Sequence, residues 1–128
     1  MIRVNYKKKI NIFLVPQLLP ITRGILSNIY VSLKRNLPES SLKDIFTTFY
    51  KDKNFIKILN SGLPSIKDVV NTNNCIIGMK KIKNTQTYMI TSVIDNLLKG
   101  ASGQAVQNMN LIFGFEENLG LQFIYFTN

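Results

Sequence analysis

Short stretches in which hydrophobic and polar residues alternate predict most of the regular structure of this chain, because a period of two is typical of half-buried β-strands. The alternation is clearest over residues 25–33, where the apolar content indicates a strand largely covered on both faces. Asn84 and Thr85 carry a turn signal between two stretches rich in apolar and β-branched residues. The predicted strands are residues 12–15, 25–33, 55–59, 67–70, 75–82 and 87–94.

Two stretches instead repeat hydrophobic residues every three or four positions, which predicts amphipathic helices. The first covers residues 39–52 after the entry signal of Pro38. The second begins after Gly103 and ends near Gly114, with Ser102 as its predicted N-cap. The residues predicted to face the core are Leu42, Ile45, Phe46 and Phe49 in the first helix and Ala105, Val106, Met109 and Ile112 in the second.

The order of these elements predicts the fold class. The sequence β-β-α-β-β-β-β-α lacks the strict alternation of a doubly wound sheet, so we expect an α+β domain. Its sheet should be mixed and largely antiparallel, with the two helices on one face. The chain contains no glycine motif of the dinucleotide-binding or phosphate-binding type and no internal repeat.

The formal charge of +9 suggests nucleic-acid binding at first sight. However, the chain has 13 Lys scattered along it and only three Arg, together with 15 Asn and 17 Ile. Codons for Lys, Asn and Ile are rich in A and T, so codon bias explains the excess of basic residues. A nucleic-acid surface should favour Arg interleaved with aromatic residues. We therefore expect no nucleic-acid partner.

The absence of histidine restricts the chemistry open to the chain. No Ser–His or Cys–His pair can form within it, and the commonest metal ligand is missing. Seven carboxylates show no metal-ligand spacing, so no metal site is predicted. The single cysteine, Cys75, lies in a predicted strand with no nearby base, which favours an inert structural thiol.

The N-terminal region resembles a signal peptide only superficially. Lysines 7–9 precede an apolar run, but Pro16, Gln17 and Pro20 interrupt it. No run approaches the length of a membrane span, so we expect a cytoplasmic protein without a membrane partner.

Three features are candidates for ligand binding. Gly100 and Gly103 precede a helix, where glycines allow close approach and free N–H groups can bind an anion, although simple packing is an alternative. Arg23 lies in a loop before a strand and could clamp a carboxylate or phosphate, or form a surface ion pair. Gln104 and Asn108 share one helical face and could bind an amide such as nicotinamide, or remain solvated. Asp95 and Asn96 favour turn formation.

Three segments closely resemble the N-acetyl-γ-glutamyl-phosphate reductase family, in the order in which that family carries them. They are PQLLPITRGIL (16–26), VNTNNCIIG (70–78) and DNLLKGASGQAVQN (95–108). The likeness extends over residues 12–121. It implies an NADPH-dependent reduction of an acyl phosphate in arginine biosynthesis. It also implies a fold like the C-terminal domain of the glyceraldehyde-3-phosphate and semialdehyde dehydrogenase superfamily.

The resemblance also implies a division into parts. Residues 1–11 form a basic leader without a match, and residues 12–128 form the C-terminal catalytic and oligomerisation domain, without the N-terminal NADP-binding domain. The expected partners are that missing domain, as a partner chain, and further copies in a homo-oligomer. By the same resemblance, Gly100, Ser102, Gly103, Gln104 and Asn108 adjoin the cofactor and Arg23 binds the substrate.

Two departures from the family bear on activity. The segment with the family's nucleophilic cysteine is absent, and Gln17 stands where the family has its catalytic histidine. An amide does not titrate near neutral pH and cannot act as the general acid or base. Two hypotheses remain: half of a reductase that works only with an N-terminal partner, or a non-catalytic oligomerisation module.

Overall fold

The sheet of this protein has four strands, seen in a computed structural model that describes residues 13–122. In chain order the strands are β1 (Ile25–Ser32), β2 (Ile56–Ile58), β3 (Cys75–Lys81) and β4 (Thr87–Ile94), arranged β1-β4-β3-β2. Strand β4 pairs antiparallel with both β1 and β3, whereas the short β2 lies parallel to β3. The predicted α+β class with a mixed, largely antiparallel sheet is confirmed.

The β3–β4 hairpin is the centre of the fold. Its register places Met79 opposite Ile90, and its turn contains Asn84 with a positive φ of 58°, as the turn signal predicted. Tyr88 is completely buried and packs with Ile77 and its neighbours into one cluster. Both strands were predicted within one residue, because their apolar and β-branched residues and their turn are adjacent in the sequence.

Helix α1 (Glu39–Tyr50) covers one face of the sheet. Leu42, Phe46 and Tyr50, spaced by four residues, pack against the cluster around Tyr88. Ile45 and Phe49 were also predicted to face the core, but they are 56% and 64% exposed. Only one row of α1 side chains, spaced by four residues, packs against the sheet, so Ile45 and Phe49 on the neighbouring row remain exposed.

The opposite face of the sheet is covered by the segment between β2 and β3. Val69 is completely buried there against Ile76 and Val93. The predicted strand at residues 67–70 is wrong, since Ile66–Asp68 is a single 3₁₀ turn. The carboxylate of Asp68 accepts a hydrogen bond from the Ser65 amide (2.7 Å). This capping box stabilises the 3₁₀ turn, and the segment does not pair with a strand.

Strand β1 is an edge strand within the described residues. The prediction that it is covered on both faces is wrong, because its side chains Ile25, Leu26, Ile29 and Tyr30 are all exposed. The predicted strand at residues 12–15 is also not seen, as residues 13–15 are irregular and exposed. Among residues 13–122, no helix is both long and apolar enough to cross a membrane.

Helix α2 (Gly103–Phe113) follows β4 through a π-helical turn, Leu98–Ser102. Gly114 ends it with a left-handed φ of 72°, as predicted. The predicted N-cap is wrong, because Ser102 is itself helical and its hydroxyl donates to the Leu97 carbonyl (2.8 Å). The apolar and aromatic tail at residues 121–126 is expected from the sequence to pack against the domain, and most of it lies outside the described residues.

The predicted core stripe of α2 is also wrong. Ala105, Met109 and Ile112 are exposed, and Val106 is half-buried. The helix instead buries Gly103, Gln107 and Asn110. Its inner face is therefore polar and its outer face apolar.

Candidate functional site

The candidate substrate residue Arg23 lies in the loop before β1, next to the end of β4. Its Nη1 donates to Asp95 Oδ2 (3.0 Å) and to Asn71 Oδ1 (2.8 Å). In the same loop, the Gly24 amide donates to Asn96 Oδ1 (2.7 Å). The loop before β1, the end of β4 and the segment after the 3₁₀ turn therefore meet at one end of the sheet.

Asp95 is the centre of this junction and is completely buried. Its Oδ1 accepts hydrogen bonds from the amides of Leu97 (2.8 Å) and Leu98 (3.1 Å), and its Oδ2 also accepts one from the Asn71 amide (2.8 Å). Asp95 thus stabilises the turn after β4, as the sequence favoured, and it also forms an ion pair with Arg23.

The charge state of Asp95 follows from these contacts. Burial raises the pKa of its carboxyl, but the hydrogen bonds from the three amides and from Arg23 outweigh that effect. The net result is a pKa below the ordinary value of 3.8. Asp95 is therefore a fixed anion near neutral pH, suited to hold Arg23 in place and unsuited to act as a general acid.

The turn at residues 98–102 does not offer the free backbone donors expected of an anion site. The amides of Gly100, Ser102 and Gly103 donate to the carbonyls of Asp95, Leu97 and Leu98. The anion-binding hypothesis for these three amides is therefore wrong, since the π-helical turn satisfies them internally. Any ligand here must be bound by side chains or by close contact.

The two glycines have different surroundings. Gly100 is exposed, and a Cβ at this position would meet its neighbours at ordinary distances of 3.7 Å or more. Gly103 is buried, and a Cβ there would overlap Asn73 Oδ1. Gly103 therefore allows α2 to pack against Asn73, whereas Gly100 and Ser102 lie at the surface.

Gln104 and Asn108 form a pair on α2, as their spacing predicted. Gln104 Nε2 donates to Asn108 Oδ1 at 2.9 Å. This bond leaves the Gln104 carbonyl oxygen as an acceptor and the hydrogens of the Asn108 Nδ2 group as donors. One acceptor beside one donor is the arrangement that a carboxamide ligand requires.

A second polar cluster lies under α2 and was not predicted from the sequence. Gln107 Oε1 accepts hydrogen bonds from Lys99 Nζ (2.6 Å) and Asn73 Nδ2 (3.1 Å), and Gln107 Nε2 donates to Glu117 Oε1 (2.6 Å). Partial burial lowers the pKa of Lys99, and the nearby Cys75 and Glu117 counteract this only in part. The sequence signal was the group of side-chain amides in α2, namely Gln104, Gln107, Asn108 and Asn110, which resembles a solvated face.

Cys75 opens β3 and is half-buried, with its Sγ 3.4 Å from Ser92 Oγ. Gln17 is exposed in the irregular segment before β1. Within residues 13–122, no three His, Cys, Asp or Glu side chains form a group that could hold a metal ion. The site residues predicted from the sequence thus form two groups. Arg23 and the turn at Gly100 both contact Asp95. Gln104 and Asn108 form a separate pair further along α2.

Residues 2–96 match the family model described as "Semialdehyde dehydrogenase, dimerisation domain". The match covers well over half of the chain. This chain belongs to that family. The four-stranded mixed sheet with two helices is consistent with this membership.

Curated relatives carry the name N-acetyl-gamma-glutamyl-phosphate reductase, which confirms the resemblance found in the sequence. The relative from Thermoanaerobacter pseudethanolicus is 46% identical over 120 residues, which is 93% of this chain and 35% of the relative. The relative from Dictyoglomus thermophilum is 48% identical over 116 residues, which is 90% of this chain and 34% of the relative. The chain thus spans about a third of the length of these reductases.

Proposed function

We propose that this chain is the C-terminal part of an N-acetyl-γ-glutamyl-phosphate reductase, acting in the cytoplasm in arginine biosynthesis. In this proposal it reduces N-acetylglutamyl phosphate to the semialdehyde only together with an N-terminal NADP-binding part. The observation that carries the proposal is the 46% identity to a reductase over 93% of the chain. The coverage of only 35% of that relative supports the need for a second part.

Arg23 is the proposed substrate residue of this chain. Its two hydrogen bonds to Asn71 and Asp95 use the hydrogens of Nη1. The remaining N–H donors of the guanidinium are on Nη2 and Nε. The side chain is 36% exposed, so these donors are accessible to an acyl phosphate or a carboxylate. Asp95 would hold the guanidinium in orientation while Arg23 binds the anion.

The proposed cofactor contacts are Ser102, Gln104 and Asn108, with Gly100 allowing close approach. The exposed amide pair fits a carboxamide, which is the observation that supports nicotinamide here. NADPH, when bound, would supply the hydride for reduction of the acyl group. Gly103 belongs to the proposed site only indirectly, since it packs against Asn73 and positions the start of α2.

Gln17 limits the chemistry that this chain can perform. It replaces the residue expected to transfer a proton, and an amide cannot do so near neutral pH. We therefore expect the assembled enzyme to be slow, because loss of general acid–base catalysis typically lowers the rate by about 10²–10⁴-fold.

A non-catalytic oligomerisation module is the second candidate function. It is supported by Gln17, by the complete absence of histidine and by the dimerisation domain in the family's description. In this case the chain would assemble with itself or with a complete reductase without contributing to turnover.

The two functions are separated by mixing experiments. The N-terminal part of the Thermoanaerobacter reductase, lacking the stretch similar to this chain, would be combined with this chain, NADPH and the acyl phosphate. Oxidation of NADPH above the rate of the N-terminal part alone supports the reductase. A stable complex that oxidises no additional NADPH supports the module instead.

A further inference from the structure

Gln107 connects α2 to three other segments of the domain. Its side chain is 8% exposed, and its Oε1 accepts hydrogen bonds from Lys99 in the preceding turn (2.6 Å) and from Asn73 in the loop before β3 (3.1 Å). Its Nε2 donates to Glu117 in the segment after the helix (2.6 Å). We call these four residues the Gln107 cluster.

The partners of Gln107 have fixed positions of their own. Lys99 Nζ lies 5.2 Å from the centre of the Phe55 ring. Glu117 Oε2 accepts a hydrogen bond from Asn54 (2.8 Å). The orientation of the Gln107 amide is also determined, because an ammonium group only donates and a carboxylate only accepts. The cluster therefore holds α2 in one position relative to the chain before β2.

A short loop joins the Gln107 cluster to the candidate substrate residue. Asn71 accepts a hydrogen bond from Arg23 (2.8 Å), and Asn73 follows two residues later. Between them, the Thr72 hydroxyl bonds to the backbone on both sides, at 2.8 Å and 3.1 Å, which stiffens the loop. The loop thus sets the distance between Arg23 and Gln107.

We propose that Gln107 is a positioning residue, which sets the distance between the exposed amide pair of α2 and Arg23. That pair, Gln104 and Asn108, is proposed to contact the cofactor, so the inference rests on the proposed function. Gln107 lies three residues after one member of the pair and next to the other, so a shift of Gln107 moves both. Reaction between two bound molecules depends on their separation to within about 1 Å.

The polar character of the cluster favours positioning over simple packing. Apolar side chains of similar volume fill the space under a helix as well as a buried polar network does, and they need no desolvation of polar groups. Hydrogen bonds are directional, so the three bonds of Gln107 favour one position of the helix over its neighbours.

The experiment compares variants of the full chain in the mixture with the N-terminal part of the Thermoanaerobacter reductase. Gln107→Leu removes all three hydrogen bonds and keeps a side chain of similar volume. Gln107→Glu combined with Glu117→Gln exchanges the two groups and keeps the net charge. In this double variant, the carboxylate at position 107 accepts the same hydrogen bonds as before, and the amide at position 117 donates to it. Gln86→Leu in the exposed β3–β4 turn is the control.

We expect Gln107→Leu to raise the KM for NADPH by about tenfold or more, because the amide pair moves away from the cofactor. The double variant and Gln86→Leu should stay within about threefold of the unmodified chain. A residue that only stabilises the fold would behave differently, since loss of folded protein lowers the apparent kcat and leaves the KM unchanged.

Hydrogen exchange of the chain alone provides a second measurement. Gln107→Leu should accelerate exchange of the Asn71 amide, which donates to Asp95, whereas the double variant should not. An unchanged KM for NADPH in Gln107→Leu, or a double variant as impaired as Gln107→Leu, would overturn the proposal. No NADPH oxidation by the unmodified mixture contradicts the proposed function instead. Hydrogen exchange then decides, and equal exchange of the Asn71 amide in all variants would overturn the positioning role.

Discussion

Asp95 connects three segments that are distant in the sequence. Its carboxylate accepts hydrogen bonds from Arg23 before β1, from Asn71 after the 3₁₀ turn, and from Leu97 and Leu98 in the turn before α2. Because the carboxylate is completely buried, each of these donors depends on it. At the scale of single residues, this contact set decides both the stability of the junction and the orientation of the proposed substrate residue.

Asp95→Asn should therefore lower the free energy of unfolding by about 2–3 kcal/mol, because the guanidinium and the amides lose an ionised acceptor. Urea denaturation measures the effect. The matched control is Asp52→Asn. The Asp52 side chain is 82% exposed and makes a long contact of 4.0 Å with Lys51. This substitution should change the free energy of unfolding by less than about 0.5 kcal/mol. Equal effects of the two substitutions would contradict the structural role of Asp95.

The pH dependence of stability should reveal the same residue. The folded-state pKa of Asp95 lies below its ordinary value of 3.8, so the unfolded chain binds the proton more readily. The stabilisation is therefore fully present above the ordinary pKa and is lost as the pH falls through it toward the lower folded value. We expect the difference in stability between the unmodified chain and Asp95→Asn to shrink in this acidic range. A difference in stability that stays constant over this pH range would show that protonation of the Asp95 carboxylate does not cause the loss of stability.

Gln17→His tests the proposed catalytic defect in the mixture with the N-terminal part. A histidine with an ordinary pKa near 6.5 could transfer a proton, and we expect NADPH oxidation to rise by about 10²-fold or more. The rate should then depend on pH around that value. Gln17→Asn serves as the control and should leave the rate unchanged. A rate for Gln17→His equal to that of the control would mean that position 17 does not serve proton transfer.

At the scale of elements, the packing of α2 depends on Gly103. A side chain there would overlap Asn73 Oδ1, which is buried, so Gly103→Ala should destabilise the protein by about 1–3 kcal/mol. Gly100→Ala is the control, because the nearest atoms around its added Cβ are 3.7 Å away. Thermal unfolding of the two variants compares them. Equal melting temperatures would mean that α2 moves away from Asn73 without cost.

Elements whose signals are local were predictable from the sequence, and elements whose structure depends on distant partners were not. The β3–β4 hairpin is encoded by two adjacent strands and a turn around Asn84. The 3₁₀ turn at Ile66–Asp68 is an exception, because its signal, the capping box of Ser65 and Asp68, is local and was nevertheless read as a strand. The role of Asp95 required knowledge of Arg23, 72 residues earlier in the chain.

The α2 helix shows a different reason for failure. Its period and its C-terminal stop were predicted, but the apolar side was assigned to the core, whereas it faces outward. Periodicity identifies an apolar face without identifying what covers it. The resemblance of residues 95–108 to a reductase was visible because sequence similarity, unlike packing, needs no three-dimensional information.

At the scale of the whole molecule, the described residues expose apolar side chains in the segment before β1, on the edge strand β1, on the outer side of α1 and on the outer face of α2. The chain spans about a third of its relatives, and its family is described as a dimerisation domain. Both facts support the proposal that the functional unit is an assembly in which this chain forms one wall of the site. Arg23, Gln104 and Asn108 would face the contribution of the other part.

The most direct test of this account is a titration of this chain into a fixed amount of the N-terminal part of the Thermoanaerobacter reductase, with NADPH and N-acetylglutamyl phosphate in excess. The account predicts that the rate of NADPH oxidation rises with the concentration of the chain and saturates at equal amounts of the two parts. A rate that stays at the level of the N-terminal part alone, while sedimentation shows that the two parts form a complex, would contradict it.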